Sequence, residues 1–395
     1  MASTTMTGAR KTVLLFAPAG SPALESIPRD NALLRDHVDL VRVNEVHELE
    51  EALAGKKDGS ALNPPDAVLF IPPGNAELLR KVWLENKLKE VRWVHCFYAG
   101  VDLLKPFISD CLLNPDGSDT GVPLTNGRGA FSSSLAEYAV TAMLHFNKQV
   151  PRCQANKAEH KWDKFVMDVV DRKSVVFVGY GNIAQATAKV VRALGMRVIA
   201  LKRNPNAVAA DAERADEYYG LDKKMDVLGR GDFVISTLPG TQETFNFFSH
   251  AEFGVMKRSA VFVSMGRGTV VDEDALVSAL QSDVISGAGL DVYQKEPLDP
   301  QSPLWSCKNL LMTAHNADYT SDYFSLGWDV WLQNLECFLD GKAEYASPVN
   351  KHSGYYRKTH YFLDFPLPAL VYFHSEVRSR TTLSQSAPKA KRKSS

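Results

Sequence analysis

At 395 residues the chain is longer than a single hydrophobic core usually needs, and it points to two domains. Its 45 Lys and Arg nearly balance its 46 Asp and Glu, a formal charge of -1, which argues against a nucleic acid or other polyanion as partner. No apolar run reaches the roughly 18 residues of a membrane span, and Met1 to Arg10 lacks the apolar stretch of a secretory signal, so a cytoplasmic protein without a membrane partner is expected. Near neutrality hides an asymmetry, because from Lys351 onward nine Lys and Arg face two acidic residues: a mildly acidic body carries a basic tail. Cys96, Cys111, Cys153, Cys307 and Cys337 are scattered and form no C-x-x-C pair, so they read as reduced structural thiols, with no metal site expected.

In chain order, Lys11 to Pro18 (KTVLLFAP) reads as a buried strand, and Asp66 to Ile71 (DAVLFI) as another after Pro64-Pro65. Helical stretches around Asn31 and over Val46 to Leu53 separate them, and Val91 to Phe97 continues the alternation toward Ala99-Gly100-Val101. Strand and helix in turn imply parallel sheets with crossover helices. Ser132 to Lys148 has apolar residues at helical spacing, with Ser132 to Ser134 as candidate caps. The alternation restarts with strands expected at Ser174 to Val178, Arg197 to Leu201, Phe233 to Thr237, Ala260 to Ser264 and Gly287 to Leu290, followed by a helical stretch from Ser321 to Leu339. Beyond Tyr356 the pattern fails: Tyr361 to Phe373 is apolar but interrupted by Asp364, Pro366 and Pro368, and Ser384 to Ser395 is a Ser/Lys-rich end expected to be disordered.

The segment Ser174 to Leu194 carries the first functional signal. A short β-branched strand runs into Gly179-Tyr180-Gly181-Asn182-Ile183-Ala184, then a helix from Asn182 to Leu194 closed by Gly195. Gly179 permits the tight turn, Gly181 lets the backbone approach a pyrophosphate, and Ala184 is small enough for helix and strand to pack closely. The helix N-terminus then offers unpaired amides to phosphates. This is the pattern of a Rossmann dinucleotide site. At the end of the next strand, where a carboxylate would bond the ribose of NAD, the chain has Lys202-Arg203-Asn204. Two cations and no carboxylate point to NADP(H) as the preferred cofactor, with NAD(H) possible, unless the cations are only solvated surface charges.

Three later segments place reactive side chains just past strands: Arg267 after Met265-Gly266, Asp291 and Glu296 in LDVYQKEPL, and His315 in MTAHNADYT. In an open parallel sheet such ends face the cofactor cleft. His315 suits proton transfer near neutral pH, Glu296 suits orienting its ring and favouring the imidazolium, and Arg267 offers a bidentate fork for a carboxylate.

Together with Val271-Asp272-Glu273 and Ser302-Pro303-Leu304-Trp305, these motifs over about residues 11 to 356 resemble the D-isomer-specific 2-hydroxyacid dehydrogenases. The resemblance implies an α/β architecture in which a Rossmann-type cofactor domain, residues 131–320, is inserted in a smaller flavodoxin-like α/β substrate domain made of residues 11–130 and 321–356. Residues 357–395 would be a disordered tail. It assigns Arg267, Glu296 and His315 to catalysis, and Asp291 to the nicotinamide carboxamide. The backbone of Ala99, Gly100 and Val101 would bind the substrate carboxylate. Gly179, Tyr180, Gly181, Asn182, Ile183, Thr237, Leu238, Pro239, Met265 and Gly266 would line the cofactor. It also implies a homodimer whose contact includes the helix from Ser132. Two departures stand out: Gly240 replaces a bulkier residue, and Ala314 replaces the usual Pro before the histidine, which would loosen the loop that aims His315. The expected reaction is NADPH-dependent reduction of a small 2-oxo acid, of glyoxylate or hydroxypyruvate type, to the D-2-hydroxy acid. The alternatives are an NAD-dependent dehydrogenase working oxidatively, or a dinucleotide-sensing corepressor-like protein, which a nuclear address at Lys389 to Lys393 would favour.

Overall fold

The structure is a computed structural model that describes residues 10–54, 64–207 and 213–354. The expectations for Met1 to Ala9 and for the tail 357–395 lie outside the described residues. Among the described residues twelve strands form two sheets, and every ladder within them is parallel.

The first sheet contains β1 (Lys11–Phe16), β2 (Val38–Val43), β3 (Ala67–Phe70), β4 (Val94–Cys96) and β5 (Leu124–Asn126), in the order β2-β1-β3-β4-β5. That is the flavodoxin-like order. Val13 to Phe16 and Ala67 to Phe70 are buried without alternation because apolar layers cover both faces of a parallel sheet. One layer comes from the far end of the chain. Trp328, Trp331 and Leu335 of the Tyr323–Leu339 helix pack with Val13, Leu15, Leu69 and Trp93, and Trp328 Nε1 donates to Ala23 O at 2.9 Å. The chain then runs antiparallel along β5, where Asn126 N donates to Ser347 O at 3.1 Å and Val349 N to Leu124 O at 2.8 Å.

The second sheet contains β6 (Ser174–Val178), β7 (Arg197–Leu201), β8 (Glu217–Tyr219), β9 (Phe233–Ser236), β10 (Val261–Ser264), β11 (Gly287–Leu290) and β12 (Leu310–Met312). Its order, β12-β11-β10-β9-β6-β7-β8, is the doubly wound one, and the winding reverses between β6 and β9. Ligands of such sheets sit outside the carboxyl ends of the strands at that reversal. The helix Ser132–Asn147 seals one face with Ala139, Ala142 and Met143 against Val175, Phe177 and Val263. The expected serine caps are not formed: Phe131 holds the cap position, Ser132 to Ser134 lie inside the helix, and Ser134 Oγ instead donates to Ala317 O at 2.6 Å. Serines at a helix start compete for whichever carbonyl lies nearest, and here the loop after β12 supplies it. All five cysteines are free, and among the described residues no helix is long and apolar enough to cross a membrane.

Candidate active site

The glycine turn leaves β6 at the switch point. Gly179 has φ +86°, which an L side chain rarely adopts, and its carbonyl accepts from Thr237 Oγ1 at 3.1 Å. That bond ties the turn to Thr237-Leu238-Pro239 at the end of β9, on the other bank of the crevice. A Cβ built on Gly181 would meet nothing within 4 Å, and no side chain caps the helix Asn182–Ala193 that follows. An open surface over a helix N-terminus of twelve residues fits a pyrophosphate. Tyr180 and Ile183 contribute differently from what their place in the motif suggests. The Tyr180 ring is buried against Phe177 and Tyr218 and its hydroxyl donates to Glu213 O at 2.9 Å, while Ile183 packs on the same core, so each meets the crevice through its backbone. At the end of β7, Lys202 Nζ donates to Ala207 O at 2.5 Å and lies 5.7 Å from the Tyr218 ring centroid. Arg203 pairs with Glu243 at 3.0 Å, and Asn204 Oδ1 accepts from Asn206 N at 3.2 Å.

The reactive side chains gather on the same edge. His315 Nδ1 and Glu296 Oε2 are 2.7 Å apart, and the second Glu296 oxygen accepts from Tyr293 N at 2.9 Å. Asp291, buried at the end of β11, is the anchor of the loop that carries the histidine. Its Oδ1 accepts from Thr313 Oγ1 at 2.7 Å, Asn316 N at 3.0 Å and Ala317 N at 3.1 Å, and its carbonyl accepts from His315 N at 2.8 Å. His315 itself stands at φ +51°. Arg267, past β10, donates from Nη1 to Gly266 O at 2.9 Å and from Nε to Asp102 Oδ2 at 3.1 Å. Asp102 belongs to the loop after β4, so residues of both sheets meet at this guanidinium. The stem of Arg267 also explains Gly240, where a Cβ would lie 3.1 Å from Arg267 Cβ and 3.0 Å from Thr269 Oγ1.

Residues 140–317 match the family described as D-isomer specific 2-hydroxyacid dehydrogenase, NAD binding domain. A probable 2-ketogluconate reductase of Dictyostelium discoideum is 32% identical over 233 residues, covering 58% of this chain and 69% of that protein. A glyoxylate reductase of Korarchaeum cryptofilum is 30% identical over 237 residues, covering 58% of this chain and 69% of its own. The chain belongs to the D-isomer specific 2-hydroxyacid dehydrogenase family. It is therefore an NAD(P)-dependent oxidoreductase of 2-hydroxy and 2-oxo acids. The fold agrees: an NADPH-dependent glyoxylate/hydroxypyruvate reductase of Sinorhizobium meliloti, solved with NADP and sulfate, matches with a TM-score of 0.67 at 23% identity, covering 88% of this chain and 100% of that one.

In this 2-hydroxyacid dehydrogenase the electrostatics of the cluster follow from its geometry. The hydrogen bond that His315 donates to Glu296 raises the His315 pKa, against the opposing effects of burial and of Arg267. Burial alone would raise the Glu296 carboxyl, but the bonds from His315 and Tyr293 N outweigh it and leave its pKa lowered. Asp102 behaves alike: burial raises it, and Arg267 and Lys105 bring it below the ordinary value. Asp318, two residues past Asn316, is raised by burial beside the same cluster. Neither Asp102 nor Asp318 is assigned a role by the motifs. The signal for Asp102 was its position directly after Gly100-Val101 at a strand end; for Asp318 it was a carboxylate three residues after the histidine.

Proposed function

We propose that the protein reduces a small 2-oxo acid, of glyoxylate or hydroxypyruvate type, to the D-2-hydroxy acid, with NADP(H) preferred. The observation that carries this reading is the His315–Glu296 pair at 2.7 Å, on the same sheet edge as Arg267 and the glycine turn. Nδ1 of His315 is engaged by Glu296, so Nε2 is the nitrogen that hands a proton to the substrate carbonyl oxygen. Arg267 and the amides of Gly100 and Val101 hold the substrate carboxylate, and Arg267 polarises the carbonyl. A bound nicotinamide supplies the hydride to C2. The amides of Gly181, Asn182 and Ile183 would hold its phosphates; Met265, Gly266 and the Thr237-Leu238-Pro239 loop would flank it, and Lys202, Arg203 and Asn204 would take a 2'-phosphate. Asp291 would take the carboxamide with the capacity its loop-anchoring bonds leave. Solved structures of similar fold hold either NADP or NAD, so the preference rests on Lys202, Arg203 and Asn204 at the end of β7.

The same reading divides the chain into a substrate domain of residues 11–130 and 321–356 and a cofactor domain of residues 131–320. It also includes a homodimer. The support for association is an exposed apolar stretch, with Trp162 fully exposed and Val166 at 87%, close to the Ser132–Asn147 helix in sequence. A reductase screen over glyoxylate, hydroxypyruvate, pyruvate and bulkier 2-oxo acids, with NADPH and NADH, tests the function. His315→Ala should abolish turnover while cofactor affinity stays within about twofold; retained activity refutes the assignment.

A further inference from the structure

Arg267 is held from three sides. Its own preceding carbonyl takes Nη1, and the Gly100 backbone lies close to the guanidinium, so that a Cβ at Gly100 would collide with Nη2 and stand 3.3 Å from Cζ. The third side is Asp102, whose Oδ2 accepts from Nε at 3.1 Å across a sequence separation of 165 residues. Of the three, Asp102 alone carries a charge. It is also braced: Lys105, one helical turn on, bonds its other oxygen at 3.0 Å.

Two halves of a carboxylate site must come into register for the proposed reaction. The amides of Gly100 and Val101 belong to the first sheet, and Arg267 belongs to the second. Asp102 follows those amides directly in the chain and grips Arg267, so the loop that offers the amides also aims the guanidinium. We propose that Asp102 is a positioning residue that sets the substrate affinity of this enzyme by fixing the direction of the Arg267 guanidinium relative to the Gly100-Val101 amides. This rests on the reading that Arg267 binds the substrate carboxylate. A planar guanidinium tethered at Nε and Nη1 has lost the rotations that would otherwise be frozen on binding, and that entropy appears in the affinity for the acid. A carboxylate beside the arginine would also repel the anionic substrate. The geometry favours positioning, because Oδ2 meets Nε and not the outer edge where the two terminal nitrogens form a fork.

The test is a KM-against-kcat comparison with glyoxylate and hydroxypyruvate as probes on the full chain, for Asp102→Ala, Asp102→Asn, Arg267→Ala and the Asp102→Ala/Arg267→Ala double variant. Asp102 is 42% exposed, so the effect belongs at the lower end for a charge-assisted bond: Asp102→Ala should raise KM about tenfold. Turnover at saturation should fall by less than KM rises, since Arg267 also polarises the carbonyl, and the NADPH dissociation constant from fluorescence titration should not move. Asp102→Asn keeps an acceptor for Nε and should recover part of the loss. In the double variant the Asp102 substitution should add nothing to the loss caused by Arg267→Ala. An unchanged KM in Asp102→Ala overturns the proposal, as does a lowered one, which would make Asp102 a competitor of the substrate. If both Asp102 variants lose cofactor binding and cooperative melting, the role is structural and the proposal is again overturned. If Arg267→Ala itself leaves KM unchanged, the assignment of Arg267 has failed first, which separates the two readings.

Discussion

Removing the Arg203 guanidinium is the sharpest test of cofactor choice, because the structure shows both what it would lose and what already competes for it. Arg203 is 57% exposed and paired at 3.0 Å with Glu243, itself 64% exposed, on the loop after β9. A charge-assisted bond to a phosphate is worth about 1.5–3 kcal/mol, and exposure to water puts this one at the lower end. Binding a 2'-phosphate must also loosen the Glu243 pair, an exposed bridge worth about 0–1 kcal/mol. The net is about 0.5–1.5 kcal/mol, so Arg203→Ala should weaken NADPH about 2- to 13-fold and leave NADH unchanged. Glu243→Gln should act oppositely, tightening NADPH several-fold, since it removes a like charge next to the phosphate and releases Arg203. Lys202 Nζ lies 5.7 Å from the Tyr218 ring centroid, and burial lowers its pKa. The assay is the dissociation constant of each nucleotide by quenching of protein fluorescence, at fixed ionic strength because the effect is electrostatic. Equal losses for NADPH and NADH in Arg203→Ala, or none for either, would refute the reasoning. A wild-type protein that binds NADH more tightly than NADPH would sink the preference itself.

The pH dependence has a determined sign. Reduction needs the imidazolium, and Glu296 raises the His315 pKa above its ordinary 6.5, so reductive kcat/KM should fall as pH rises through that elevated pKa. In Glu296→Gln the alkaline limb should move to lower pH, because burial and Arg267 then pull the histidine down against the weaker effect of Asp291 alone; an unmoved limb in the pH profile contradicts the pairing. The pair's contribution to stability follows the same logic: the histidine part is present at low pH and lost as pH rises through its raised pKa, while the glutamate part is lost as pH falls through its lowered one, so thermal melts should peak between the two. Gly100→Ala should displace the Arg267 guanidinium and cut kcat/KM by about a hundredfold with normal melting, whereas a near-wild-type rate would mean that the loop adapts at no cost. Trp162→Asp should convert a dimer to a monomer in sedimentation velocity, and an unchanged mass places the interface elsewhere.

The features legible in the sequence are those whose causes are local. The strand and turn from Ser174 appear at the expected bounds, and the helix ends at Ala193, one residue short of the expected Leu194, because β-branched residues, a left-handed Gly179 and a helical repeat all lie within twenty residues. β7 and β11 were equally clear. β2, β5, β8 and β12 were not read as strands. β8 and β12 are three residues each with every position only half-buried, and β5 is three residues ending in polar Thr125-Asn126. β2 begins where a helix ends at His37 and buries only its two terminal residues, so no run of apolar character marks it. Edge and short strands take their conformation from the neighbour they pair with, which a window of sequence does not contain.

The site shows the same division more sharply at His315. The residue types were legible from their order, but the aim of the imidazole is set by Asp291, 24 residues upstream, whose Oδ1 collects three donors from the loop and whose carbonyl takes the His315 amide. Those bonds hold His315 at φ +51°, a conformation a histidine keeps only when its surroundings over-determine it. They also change the meaning of Ala314. A proline there would stiffen the loop by fixing φ, and its replacement by alanine reads from sequence as a loss of rigidity. In the structure the Ala314 amide donates to Asn316 Oδ1 at 3.1 Å, a bond proline has no hydrogen to make. Alanine thus exchanges a covalent restraint for a hydrogen-bonded one, and with Asn316 N and Ala317 N both fastened to Asp291 the loop is closed on either side of the histidine. The departure from the family pattern is a different way of holding the same side chain, made possible by the asparagine that follows it.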